Sequence, residues 1–140
     1  KYGCWAEFRA SPGGLRLGLI VAALIGVVFM APGAVMVAGN TSREQFGKIA
    51  LAGPVSNVAL WCIGLAFAVT VGSPNIYFDL FIFYWMMANG ILGALNMLPF
   101  GPLDGKKIRT WSVPVFWIWL IICLSMVWFN FTQLSSLLGL

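Results

Sequence analysis

Histidine is missing altogether from this 140-residue chain. A centre built on paired histidines, or a histidine general base, therefore has to draw on residues from elsewhere. Charge is scarce as well. Lys and Arg number 8 and Asp and Glu 4, together 9% of the residues, where a soluble domain carries about 25%. The three cysteines, Cys4, Cys62 and Cys123, are odd in number and form no CxxC pair. That excludes a disulfide framework and a thiolate metal pair. There is no internal repeat and no low-complexity tract. What remains is apolar: 61% hydrophobic residues and a mean hydropathy of +0.93. These values describe a membrane protein. The net charge of +4 does not point to nucleic acid, because the basic residues sit in short clusters beside apolar runs, as orientation signals do.

Residues 1–14 are a polar, turn-rich lead closed by Ser11-Pro12-Gly13-Gly14. Residues 15–38 form an apolar segment interrupted by Pro32-Gly33, where a backbone donor is lost and φ is relaxed. Within and after it, 34–38 and 45–51 read as two short strands around a polar turn, predicting a β-hairpin over 34–51. Pro54 suits the first turn of a helix over 55–71. Further spans are expected over 76–95 and, after Pro114, over 114–131. Each has roughly the 17–25 residues needed to cross hydrocarbon. The expected fold is an all-α polytopic membrane protein. It has about three full transmembrane helices, one re-entrant or spanning segment (15–38) and a small hairpin, in a single membrane domain over 1–140.

Basic residues set the expected orientation. Lys106, Lys107 and Arg109 should face the cytoplasm. Two spans back, Arg43 and Lys48 return to the same side, which Lys1, Arg9 and Arg16 also prefer. All clusters agree only if 15–38 enters and leaves from one side, so re-entry is favoured over spanning. Lys1 in place of an initiator Met makes the chain read as a piece of a longer protein. A signal peptide over 1–39 is disfavoured by Glu7 and by the long Gly/Pro-containing lead.

Asp104 is the first candidate for chemistry. It lies in Asn-Met-Leu-Pro-Phe-Gly-Pro-Leu-Asp-Gly, residues 96–105, with long apolar runs on both sides. A carboxylate there is costly unless a Lys, an Arg or a metal ion holds it. The plain alternative is a turn residue or helix N-cap. Two prolines and two glycines keep the loop non-helical, and such backbone survives at membrane depth only in buried or wet surroundings. Asn96 is either a C-cap or interhelical hydrogen-bonding residue, or an amide that contacts substrate or an oxyanion. Asn89, Gly90, Gly93 and Ala94 suit helix packing. Gly53-Pro54-Val55-Ser56-Asn57 reads as a helix start with Asn57 bonding a neighbour. Lys106 and Lys107 are orientation charges, either of which can neutralise Asp104. Trp111, Trp117, Trp119 and Trp128 suit interfacial anchoring. Asn40-Thr41-Ser42 and Asn130-Phe131-Thr132 match the glycosylation pattern, a short match that chance often supplies.

Three strings in order, Gly-Lys-Ile-Ala-Leu-Ala-Gly-Pro-Val-Ser-Asn (47–57), the stretch from Asn89 to Asn96, and residues 96–105, carry GPxxN, NxxP and Leu-Asp-Gly. Over roughly 32–110 the chain thereby resembles the site-2 proteases, zinc metalloproteases that cut within membranes. Lys1-Tyr2-Gly3 is also similar to the residues just after that family's HExxH helix. The resemblance implies Zn2+ as cofactor, bound by two histidines of HExxH and by Asp104 as third ligand. It implies Asn96 as a substrate or transition-state contact, and the HExxH Glu as general base toward water. It also implies a transmembrane protein substrate within the lipid bilayer of the cell membrane, where the protein would be multi-pass. A hairpin at 34–51 would then offer an edge to an extended substrate strand. HExxH is absent here, so it is expected upstream of Lys1, and this stretch alone is expected to be inactive. Two alternatives stay open. One is a non-catalytic relative that binds transmembrane segments. The other is a transporter or ion relay using Asp104 and Lys106.

Overall fold

The computed structural model describes residues 5–10, 33–38, 42–100 and 103–139. Contacts divide the chain into two units, 1–42 and 43–140. In the first, β1 (Trp5–Ala10) pairs antiparallel with β2 (Gly33–Ala38), with Trp5 opposite Ala38 and Ala10 opposite Gly33. Most of the apolar segment 15–38, with its expected re-entry and its break at Pro32, lies outside the described residues.

The second unit is helical: α1 (Arg43–Val71), α2 (Ile76–Asn96), α3 (Asp104–Trp111), α4 (Val113–Thr132) and α5 (Leu134–Leu138). The helices α1, α2 and α4 are long and apolar enough to cross a membrane. Only 22–33% of their most apolar windows is buried within the protein. Side chains such as Val69, Phe81, Ile121 and Trp128 are outward-facing and exposed. A water-soluble domain does not display apolar surface on that scale, whereas lipid covers it without penalty.

Two expectations are corrected at α1. The predicted returning strand 45–51 is helical, so there is no hairpin over 34–51. The strand at 34–38 is present, but its partner is β1, inside the stretch read as a polar lead. The helix at 43–51 is held by packing, with Gly47 and Ala50 buried and Gly47 against Trp111 of α3; Glu44 complements the positive helix start, and its exposed 2.6 Å pair with Lys48 adds a little. The second correction concerns Pro54, which does not open the helix but lies inside it, buried. Proline there removes the bond to the carbonyl four residues back. Membrane helices tolerate this where neighbouring groups adjust.

The other two long helices run Ile76–Asn96 and Val113–Thr132. Asn75 caps α2, its side chain accepting from Phe78 N–H at 3.0 Å. Helix α1 packs along α2 and on α3, and α4 packs on both α2 and α3. One apolar cluster joins Trp61, Ile82, Met86, Met126 and Leu134. A second joins Ala50, Met97, Ile108, Phe116 and Cys123 beneath α3. A polar bolt crosses the first cluster. Trp61 Nε1 donates to Asn130 Oδ1 at 2.9 Å, and Asn130 Nδ2 donates to the Met86 carbonyl at 3.0 Å. Glycine at 90 makes room for that amide.

Candidate functional site

The Gly/Pro-rich connection ends α2 at Asn96 and starts α3 at Asp104. Gly105 is buried against the main chain that closes α2. A Cβ at this position would run into the carbonyl oxygens of Met97 and Leu98. The requirement for glycine is thus one of space, and it seats the first turn of α3 on the end of α2. Helix α3 is amphipathic, burying Gly105 and Ile108 and exposing Lys106 and Arg109.

Asp104 is the first helical residue of α3. The N-cap position belongs to Leu103, which makes no side-chain cap bond, so Asp104 does not act as the N-cap. Its Oδ1 accepts from Lys107 Nζ at 2.8 Å, and the two side chains are about a quarter exposed, 27% and 26%. The Lys107 ammonium also stands 5.6 Å from the centre of the Phe46 ring on α1. Of the two lysines that can neutralise Asp104, the structure selects Lys107, and Lys106 points outward.

Asp104 Oδ2 takes no hydrogen bond from the described residues. It faces Gly53, whose absent Cβ would stand 3.2 Å from it. One turn along α1, Asn57 lies beside Gly93 of α2: a Cβ on Gly93 would be 3.5 Å from Asn57 Cβ and 3.4 Å from Cys123 Sγ. The GPxxN string on α1 therefore touches the Leu-Asp-Gly string through Gly53, and the end of α2 through Asn57. Asn96, one turn beyond Gly93, is half-buried, and its side chain makes no hydrogen bond to the described residues. Asn89, by contrast, is buried and donates to the Trp85 carbonyl of its own helix. Gly47 lies against Trp111, so Trp111 is a helix contact rather than a free anchor, while Trp117 and Trp128 are exposed.

The donor set is incomplete. Among the described residues no three His, Cys, Asp or Glu side chains gather to hold a metal. Asp104, with Oδ1 held by Lys107 and Oδ2 without a hydrogen bond from the described residues, has the chemistry of one ligand.

Sequence reasoning passed over a second acidic residue. Asp79, in the first turn of α2, is 3% exposed. Ser73 Oγ donates to its Oδ2, and its Oδ1 is buried without a partner. The signal was present as a lone carboxylate within an apolar run. Asp79 and Asn96 are 17 positions apart on one helix, about 26 Å at ~1.5 Å per residue, so Asp79 belongs to the other end of the bundle.

This chain has a relative among named zinc metalloproteases. It is 39% identical over 128 residues to a Methanocaldococcus jannaschii protein named "putative zinc metalloprotease". The matched region is 91% of this chain and 65% of the relative, so the chain spans just under two thirds of that protein's length. No family model matches the chain. No solved structure matches it either.

Proposed function

We propose that this chain is the membrane-embedded part of a zinc endopeptidase of the site-2 type, which cuts transmembrane segments of membrane proteins. The observation that carries the proposal is the contact between Asp104 and Gly53. It brings the carboxyl oxygen that Lys107 does not hold to the meeting point of α1, α2 and α3. The similarity to a named zinc metalloprotease supports the same reading.

In this proposal Asp104 is the third ligand, and two histidines of an HExxH helix lie upstream of Lys1. Zinc bound there would supply an activated water and polarise a peptide carbonyl. The residues of this chain hold and orient. Asp104 offers Oδ2, Gly53 leaves it room, and Gly105 fixes its height on the end of α2. Asn96, its amide free of hydrogen bonds to the described residues, is placed to hold a substrate main chain. The substrate would reach the site from the bilayer of the cell membrane, in which the three long helices sit.

The test uses the full-length protein. Asp104→Asn should lose bound zinc and cleavage of a transmembrane reporter. Zinc content and cleavage equal to those of the unmutated protein would defeat the proposal. So would a full-length sequence with no HExxH before Lys1, in which case a role in binding transmembrane segments without cutting them takes its place.

A further inference from the structure

Three basic residues come after Asp104 on α3, and only Lys107 is turned inward. Its surroundings differ from those of an ordinary surface pair. Glu44 and Lys48, also one helical turn apart, are 62% and 47% exposed, and pairs of that kind contribute little. Lys107 and Asp104 are far less exposed. The lysine is gripped from two elements at once, by the carboxylate one turn back on its own helix and by the Phe46 ring on α1. This geometry distributes the two oxygens of Asp104. Lys107 engages Oδ1, and Oδ2 is left facing Gly53.

We infer that Lys107 is a positioning residue for metal binding: it holds Asp104 Oδ1 so that Oδ2 alone is presented to the cation. The inference rests on the proposed role of Asp104 as a ligand. The physical argument concerns rotational freedom. An aspartate on the first turn of a short helix can turn either oxygen outward. Seating one oxygen on a fixed ammonium removes that freedom before the metal arrives. Ligating carboxylates and histidines are commonly fixed in this way by a hydrogen-bonding neighbour, and loss of the neighbour weakens the metal roughly 10–100-fold. Phe46 contributes by holding the ammonium in place from α1, so the orientation of the carboxylate depends on the α1–α3 contact.

The experiment is metal binding by the full-length protein in detergent, with zinc affinity read by chelator competition and ligand geometry by the visible spectrum of the cobalt(II) form. Lys107→Met keeps the aliphatic stem on Phe46 and removes the charge. It should weaken zinc by roughly 10–100-fold and alter the cobalt spectrum. Lys107→Arg should restore affinity to within a few-fold of the unmutated protein. Lys106→Met, on the exposed side of the same helix, should bind as the unmutated protein does. A structural role for the ion pair in α3 would lower stability but leave both metal readouts unchanged. Unchanged or tighter zinc binding in Lys107→Met overturns the inference. Should that variant fail to purify as a folded protein, Lys107→Gln carries the same expectations. Asp104→Asn separates the two claims. If it keeps the metal, the ligand reading fails. If it loses the metal while Lys107→Met keeps it, only the positioning role fails.

Discussion

Gly53 and Asp104 meet across two helices with no side chain between them: the Cβ that Gly53 lacks would stand 3.2 Å from Oδ2, the carboxyl oxygen that Lys107 does not hold. This contact ties the α1 string to the α3 string, and it makes the glycine a spatial requirement of the site.

Valine at 53 should therefore displace the carboxylate. Overpacking a tight contact costs about 1–3 kcal/mol, so the thermal midpoint in detergent should fall modestly while the helical content stays. Zinc binding by the full-length protein should fall much further, because the displaced group is the proposed ligand. Alanine should have a smaller effect in the same direction. A Gly53→Val protein with unchanged zinc content would show that the space is not used.

Gly105 makes a harsher prediction. A methyl group there meets main-chain carbonyls, which cannot rotate aside as a side-chain tip can. Gly105→Ala should lift α3 off the end of α2. The expected result is a loss of stability at or above that of Gly53→Val, with α3 opened to proteolysis. Thermal unfolding and limited proteolysis in detergent are the measurements.

Asn130 joins α1 to α2 from its place on α4. Asn130→Leu removes two hydrogen bonds, strands the Trp61 indole N–H and presses a branched side chain toward Gly90. An unpaired buried donor costs about 1–3 kcal/mol. Interhelical bonds within membranes average only about 0.6 kcal/mol, so most of the loss should come from the stranded donor and the crowding. Trp61→Phe together with Asn130→Leu should recover part of it in a double-mutant cycle.

Asp79 holds a buried oxygen without a partner. Asn at this position still accepts from Ser73 and carries no charge. If Asp79 serves only to tether the α1–α2 turn, Asp79→Asn should match or exceed the unmutated protein in thermal stability. A clear fall would show that a carboxylate is required at this end of the bundle.

The ends of α1 should label from opposite sides. Arg43 and Val71 are 28 positions apart, about 42 Å along a helix at ~1.5 Å per residue, more than the ~30 Å of hydrocarbon. In a background with Cys4, Cys62 and Cys123 replaced by alanine, cysteines at Ser42 and at Pro74 should react with an impermeant maleimide from opposite faces of sealed vesicles. Labelling of both from one face would exclude a spanning α1.

Composition and run length alone determined that this is a helical membrane protein with spans near 55–71, 76–95 and 114–131, because each 17–25-residue apolar run must satisfy its own backbone in hydrocarbon. They also singled out Asp104, since a carboxylate between apolar runs demands a partner. The start of α1 was not legible. Residues 45–51 are short and apolar enough to suit a strand, and the packing of Gly47 and Ala50 that favours helix acts only once another helix lies against them. Pro54 misled for a related reason, because its cost inside a helix is offset by packing that local sequence does not record. Only the tertiary structure decided which lysine holds Asp104 and that Gly53 faces the carboxyl oxygen Lys107 does not hold. Those outcomes depend on which helix faces meet, and the meeting is fixed by glycines whose missing side chains reveal nothing until another helix lies against them.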